Sequence, residues 1–493
     1  MRAFLFRRLF AVALVAAAAA AATGCQRKPE GVLQVLVTDS RPHLVDPARA
    51  PLGIGDSVLV NNVAQGLVRF DARGQIEPGL AETWNVSDDG LSYIFRLANG
   101  NWPSGRKITA EQVARMLRRL VDSSSRDPLK DTFGAVDDVV AMTDRVIEIR
   151  LKVPRPHLLQ LLAQPQMGLV YQGQGTGPFS VIRSDPKRGL RLSREVAMSD
   201  EEQTVREQLD LDGASAEKAV QAFVAGEADL VLGGTFANLP AARAAGVPRR
   251  TLQFDPALGL FGLIPARNGG LVADPDIRRL LSEAIDRDLL IGTLSVPGLL
   301  PRATVLEARL DNVPDPVAPD WLALPLAERR AALEARAKRL LATQKAPRLR
   351  VALPKGPGAD ILFNRLSRDW GALGISVERV AMNESADLRL VDEVAPSSSA
   401  SWFLRHFRCG VAAVCDQQVD EILDGARQTA ILAQRSALLA QASQQIDRLQ
   451  LFIPIAAPIR WSLVSGRIAG FAGNRFAVHT LTGLEQRLDR TGE

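Results

Sequence analysis

The thiols Cys409 and Cys415, six residues apart, with His406 three residues before the first, are the residue grouping that most invites chemistry in this chain. Two thiolates and an imidazole bind zinc, but a closed site takes four ligands and is usually announced by a CxxC. Neither accompanies these three, so a disulfide closing a short loop is the favoured alternative, provided the compartment is oxidising. The histidines His43, His157, His406 and His479 are scattered, with no pair at helical ligand spacing. Asp88 and Asp89 offer adjacent carboxylates for a metal, yet Ser87 and Gly90 around them make a hairpin turn the simpler account. The run Gly173-Gln174-Gly175-Thr176-Gly177 is glycine-rich enough to suggest a phosphate cradle. It lacks GxGxxG spacing and leads through Pro178-Phe179-Ser180-Val181 into a strand, where a phosphate site needs a helix N-terminus. GxxxxGK[ST], HExxH and GxSxG do not occur. No catalytic residue, metal or cofactor is therefore expected.

A third cysteine belongs to a different kind of signal. Arg2, Arg7 and Arg8 precede fourteen uncharged apolar residues, 9–22, and the run ends at Ala22-Thr23-Gly24-Cys25 before turning polar. That length suits the apolar segment of a signal peptide and falls short of the roughly 20 residues that span a bilayer. Small residues directly before a cysteine resemble the lipobox of bacterial lipoproteins, which implies cleavage after residue 24 and lipidation of Cys25. More than one acyl chain holds a protein firmly on a membrane. Residues 25–32 would be a tether, and no later apolar stretch is long enough to cross. Export supplies the oxidising context, so a Cys409–Cys415 disulfide is expected.

The chain has 493 residues, 46% hydrophobic and 23% charged, which is ample for a packed core and predicts more than one lobe. Its 60 Lys+Arg against 55 Asp+Glu give +5. Removing residues 1–24 takes three Arg and no acid, leaving 57 against 55, or +2 over 469 residues. A nearly neutral body argues against a nucleic-acid binder.

The positioning elements alternate between strand and helix periods. Leu33-Gln34-Val35-Leu36-Val37 predicts a strand and 57–66 a helix. Tyr93-Ile94-Phe95-Arg96-Leu97 after the Ser87 to Gly90 turn predicts a hairpin. Thr109 with Gln112 predicts a capping box opening a helix with Val113, Met116, Leu117 and Leu120 on one face. Ser215 predicts an N-cap, with Gly226 as the stop and a strand over 228–232. Ile277, Leu280, Leu281, Ala284 and Ile285 predict one amphipathic helix over 275–290. A proline-rich loop over 311–325, a charged helix over 326–341, a β-α-β unit over 349–380, a serine-rich loop over 396–401 and a helix over 436–448 follow. Ile453-Pro454-Ile455 and Trp461-Ser462-Leu463-Val464 predict closing strands.

A family likeness spans most of the mature chain. Val45-Asp46-Pro47, Gln65-Gly66-Leu67-Val68-Arg69-Phe70-Asp71, Pro78-Gly79-Leu80-Ala81-Glu82-Thr83-Trp84, Trp102-Pro103-Ser104-Gly105, Gly175-Thr176-Gly177-Pro178-Phe179 and Phe452-Ile453-Pro454-Ile455 stand in this order. The series resembles the extracytoplasmic solute-binding proteins of family 5, the peptide- and nickel-type receptors of ABC importers. The resemblance implies an α/β, two-lobed periplasmic-binding-protein-like fold of type II, large cluster, with an extra subdomain in lobe 1. It divides the chain into lobe 1 at 33–56 and 168–256, the extra subdomain at 57–167, lobe 2 at 257–451 and a return to lobe 1 at 452–493. In peptide-binding relatives, an Asp in a DYxxP-like segment before a Phe-Leu pair receives the peptide α-amino group. The counterpart here is Asp392-Glu393-Val394-Ala395-Pro396, with Trp402-Phe403-Leu404 after it. Asp392 would pair with an ammonium, or be an ordinary loop carboxylate. Trp402 would wall the cleft, or be core. Arg405 and Arg408 would hold a ligand carboxylate, or face solvent.

The expected function is a lipid-anchored receptor that captures a peptide-like solute by hinge closure and delivers it to an ABC permease, acting as a monomer in the cell envelope. The alternatives are a solute sensor or a holdase-like lipoprotein of the same fold, and a periplasmic hydrolase, for which no nucleophile–base pair is present.

Overall fold

Val32–Thr38 has an apolar side chain at nearly every position, the pattern of a strand buried on both faces. In the computed structural model, which describes residues 32–122, 129–197, 204–310 and 313–486, Val32–Thr38 is the middle strand of a seven-stranded sheet. It runs parallel to Thr204–Ala214 on one side and to Leu230–Thr235 on the other. The sheet order is Leu252–Phe254, Arg460–Val464, Leu230–Thr235, Val32–Thr38, Thr204–Ala214, Gly189–Ala197, Ser180–Asp185. Cys25, the expected signal segment and residues 25–31 of the expected tether lie outside the described residues, and Val32 already belongs to the strand.

A second, five-stranded sheet has the order Ser376–Val380, Arg348–Ala352, Leu388–Val394, Gly259–Pro265, Ile453–Ala456. Its parallel edge is the expected β-α-β unit, with helix Pro357–Gly371 crossing between Arg348–Ala352 and Ser376–Val380. A four-stranded antiparallel sheet, Ala81–Val86, Ser92–Leu97, Val146–Leu151, Val136–Thr143, builds the extra subdomain with helix Ala110–Val121. The chain passes between the two large sheets twice, from Phe254 to Gly259 and from Ala456 to Arg460. The return expected at 452 therefore comes later: Ile453–Ala456 still pairs with Gly259–Pro265, and only Arg460–Val464 joins the seven-stranded sheet.

Side-chain caps at Thr109, Ser215, Asp274, Asp286 and Asp416 open five of the described helices. Ser215 Oγ accepts from Lys218 N, and Gly226 sits at φ +75° as the stop. Thr109 accepts from Gln112 N, but the Gln112 side chain accepts from Trp102 Nε1 at 2.9 Å, so the box is one-sided. Asp89 accepts from Ser87 Oγ and Leu91 N within the hairpin turn, which holds its carboxyl below the usual carboxylate range. The helix expected at 57–66 begins earlier, at Ile54–Val63, and that at 436–448 is longer, Leu432–Arg448.

The helix expected over 275–290 is two helices, Pro275–Ala284 and Arg287–Leu294. Asp286 interrupts them: its side chain caps Leu289 N at 3.0 Å, and its own N–H donates to Asp369 Oδ2 at 2.8 Å. The apolar period runs through the break because Ile277, Leu280, Leu281, Ile285 and Leu290 all enter one core. That core continues across both lobes, where Phe236 of the first meets Phe261 of the second at 4.8 Å between ring centroids.

Candidate functional site

The strand Leu388–Val394 ends where the two lobes face each other, and it delivers Asp392 and Glu393 to a cavity of about 580 Å3. Lobe 1 contributes Ser57, Asn61, Gly233, Gly234, Arg460 and Trp461, and lobe 2 adds Trp402 and Arg405. Gly233 and Gly234 form a bulge in the cavity wall. Gly233 stands at φ +85°, and a Cβ on Gly234 would lie 2.1 Å from the Trp461 ring. Trp461 itself is fixed by donation from Nε1 to Thr235 O at 2.9 Å.

Asp392 lines this cavity, but its carboxylate is already partnered. Arg460 Nη1 lies 2.8 Å from Asp392 Oδ1 and Nη2 donates to the Asp392 carbonyl at 3.0 Å, so the pair joins the lobes beside the second crossing. Each side chain is only 16% exposed. Burial pushes the Asp392 carboxyl up, and the Arg460 guanidinium opposes that shift. Beside it, the His406 ring bonded at 3.2 Å holds the Glu393 carboxyl below the usual range. Across the cavity His479 meets Asp255 at the same distance, and both are buried.

Trp402 is 4% exposed and packs edge-on against Phe403 and His406. It is both core and cavity wall. Trp402 and Arg405 also line an adjoining cavity of about 520 Å3 between the extra subdomain and lobe 2. Arg408 lines only that second cavity, where Asp424 at 2.8 Å and Asp420 at 3.9 Å pair with it. Cys409 and Cys415 form a disulfide with Cα atoms 5.2 Å apart, closing the loop beside Arg408. His406 points away from both sulfurs, with Nδ1 at 2.9 Å from Trp402 O and Nε2 toward Glu393.

Residues that the sequence did not single out bridge the subdomain to lobe 2. Gln164 Nε2 donates to Pro396 O at 2.6 Å. Gln160 Oε1 accepts from Ser398 N and Oγ at 2.8 and 3.2 Å, and Arg155 Nη2 donates to Arg427 O at 3.0 Å. The serine-rich loop is thus a clasp lying across the short helix Leu158–Leu162. A Ser in a loop, or a Gln in or just after a short helix, carries no sequence signal for such a long-range bond. Arg460 likewise had none, being 68 residues from Asp392.

The model for bacterial extracellular solute-binding proteins, family 5 Middle, matches residues 75–404. The chain belongs to that family. The matched span includes Asp392 and Trp402 and stops before Arg405, Arg408, the disulfide, Arg435 and Arg460. Among relatives of this family 5 protein, the periplasmic oligopeptide-binding protein OppA of Salmonella typhimurium is 23% identical over 94% of each chain. The solved structure of the murein tripeptide binding protein MppA of Escherichia coli covers 93% of this chain and 99% of its own, at 19% identity and a TM-score of 0.78. The unliganded open form of MppA gives 0.67, at the same identity and over 93% and 98% of the two chains. The family 5 fold is therefore two-lobed, and the chain is a solute-binding protein, not an enzyme. No helix among the described residues is long and apolar enough to cross a membrane.

Proposed function

We propose that this family 5 protein is the lipid-anchored, extracytoplasmic receptor of an ABC importer, and that it closes two lobes around a peptide-like solute. The observation that carries the reading is the cleft itself. Acidic groups at Asp392 and Glu393, an aromatic wall at Trp402 and Trp461, and polar contributions from both lobes converge on one cavity at a double chain crossing. The named relatives bind oligopeptides and a murein tripeptide, which supports a peptide-like ligand here. Hinge closure is supported by the hydrogen bonds clasping lobe 2 to the extra subdomain, and by the lower similarity to the open form of MppA. Closure excludes water, so ligand contacts made only in the closed form shift the equilibrium toward it. Lipidation of Cys25 would keep the receptor beside its permease.

The test is native mass spectrometry of the purified protein, followed by thermal denaturation against short peptides, free amino acids, metal chelates and sugars. A ligand at 100 times its Kd stabilises by about 2.7 kcal/mol. A rise in Tm with peptides alone is expected. A rise only with sugars or chelates would replace the peptide reading.

A further inference from the structure

The cavity between the extra subdomain and lobe 2 is walled by five arginines: Arg155, Arg405, Arg408, Arg427 and Arg435. No aspartate or glutamate is among its described lining residues. Arg408 pairs with Asp424 and Asp420, and Arg427 shares Asp424 with it. For Arg155 and Arg435 the described residues supply no carboxylate. Arg155 donates to the carbonyls of Pro154 and Arg427, and Arg435 donates from Nη2 to Ser401 Oγ at 2.8 Å. Arg435 is 8% exposed, and its Nε is buried with no hydrogen-bond partner. Burial, and then the charges of Arg435 and Arg427, push Arg155 down to about 10; burial pushes Arg435 down as well.

Two desolvated guanidinium groups of like charge raise the energy of a folded protein unless an anion joins them. Arginine's planar fork is matched by a carboxylate, which accepts two N–H groups at once. Between the cations the walls are apolar, with Leu158, Leu161 and Leu439 available to an aliphatic stem. We propose that this cavity is an anion subsite, in which Arg155 and Arg435 hold a carboxylate of the bound solute while its body occupies the adjoining cleft past Trp402. The inference rests on the solute-receptor reading above and narrows it to solutes that carry an acidic group at that end. It also gives the extra subdomain a role: Arg155 would bring the subdomain into the ligand contact and make closure depend on charge.

The carboxylate has two sources, a peptide C-terminus or an acidic side chain. Titration calorimetry with Ala-Ala-Ala against its C-terminal amide probes the first, and Ala-Glu-Ala against Ala-Gln-Ala the second. Each pair is measured on wild type, Arg435→Met and Arg155→Gln. At least one pair is expected to favour the acid tenfold or more in wild type, and the preference should collapse toward unity in both variants. Unliganded Arg435→Met should melt at or above the wild-type temperature, since it removes a buried, incompletely bonded cation, which separates loss of the subsite from loss of the fold. Wild-type binding without any acid preference, or a preference that both variants keep, overturns the subsite and leaves the receptor reading standing. If none of the four peptides binds wild type, the peptide-receptor reading fails, and the subsite with it.

Discussion

Arg460 and Asp392 stabilise the cleft only as a pair, and the asymmetry between them is testable. A buried ion pair contributes little net stability against an apolar substitute, but removing one member strands the other charge. Arg460→Met is therefore expected to destabilise by about 3–5 kcal/mol, and Asp392→Asn added to it should recover most of that loss. Equal melting of the single and double variants would show that the carboxylate finds another partner. A second buried acid makes a pH prediction. Asp447 accepts from Val305 N at 2.8 Å, and burial pushes it up to about 7 from its ordinary 3.8. The folded state keeps this proton where the unfolded chain has released it. The stabilising contribution is thus whole below the unfolded value and is lost as pH rises to about 7. Asp447→Asn keeps the acceptor without the charge, so it should be more stable than wild type at pH 8, by about 1–3 kcal/mol, with the gap narrower at pH 5 and closing only below the unfolded value. Denaturant titrations at both pH values measure it. At this scale the sequence exposed identities and hid partners. Asp392 was visible as a candidate, while Arg460 was invisible because nothing in a strand sequence marks which residue it faces across a lobe boundary.

At the scale of elements, what was legible depended on whether the signal was local. The Ser215 cap, the hairpin at Asp89 and the β-α-β unit over 349–380 are specified by neighbours in sequence, and all three form. The break at Ile285-Asp286 is set by Asp369, far along the chain, so an uninterrupted apolar period concealed it. Asp286→Ala should cost about 0.5–2 kcal/mol as an ordinary lost N-cap. The backbone bond to Asp369 remains, so the break itself should persist and the helical circular dichroism should barely change. A larger gain of helix would mean that the cap, and not the tertiary contact, holds the two helices apart. The Cys409–Cys415 loop belongs to this scale too. It fixes the segment bearing Arg408 and Val411 at the second cavity, and Cys409 N donates to the Asp420 carboxylate of helix Gln417–Gln428. A disulfide over so short a loop contributes roughly 2–3 kcal/mol at most.

For the whole molecule, the question is what holds two lobes and a subdomain in one arrangement, and what the proposed closure would have to break. Behind the crossings the apolar core is continuous, with Phe236 against Phe261, so the proposed closure would pivot on that side. On the open side the contact is made by separable hydrogen bonds, from Gln160, Gln164 and Arg155 to Ser398, Pro396 and Arg427. Gln164 and Pro396 are 232 residues apart, which is why the clasp could not be seen in sequence although both lobes could. Each such bond contributes about 1 kcal/mol net, roughly a fivefold bias in an open–closed equilibrium. Removing two or three shifts populations without touching either core. Gln160→Ala with Gln164→Ala should therefore raise the unliganded radius of gyration in small-angle scattering and leave the circular dichroism unchanged. Apparent solute affinity should fall by the factor that the closed fraction falls. The same variant saturated with solute should return to the wild-type dimensions, because ligand contacts then supply the bias that the clasp no longer does. If scattering does not change in the absence of solute, the clasp is incidental and closure is governed by the ligand and the hinge core alone.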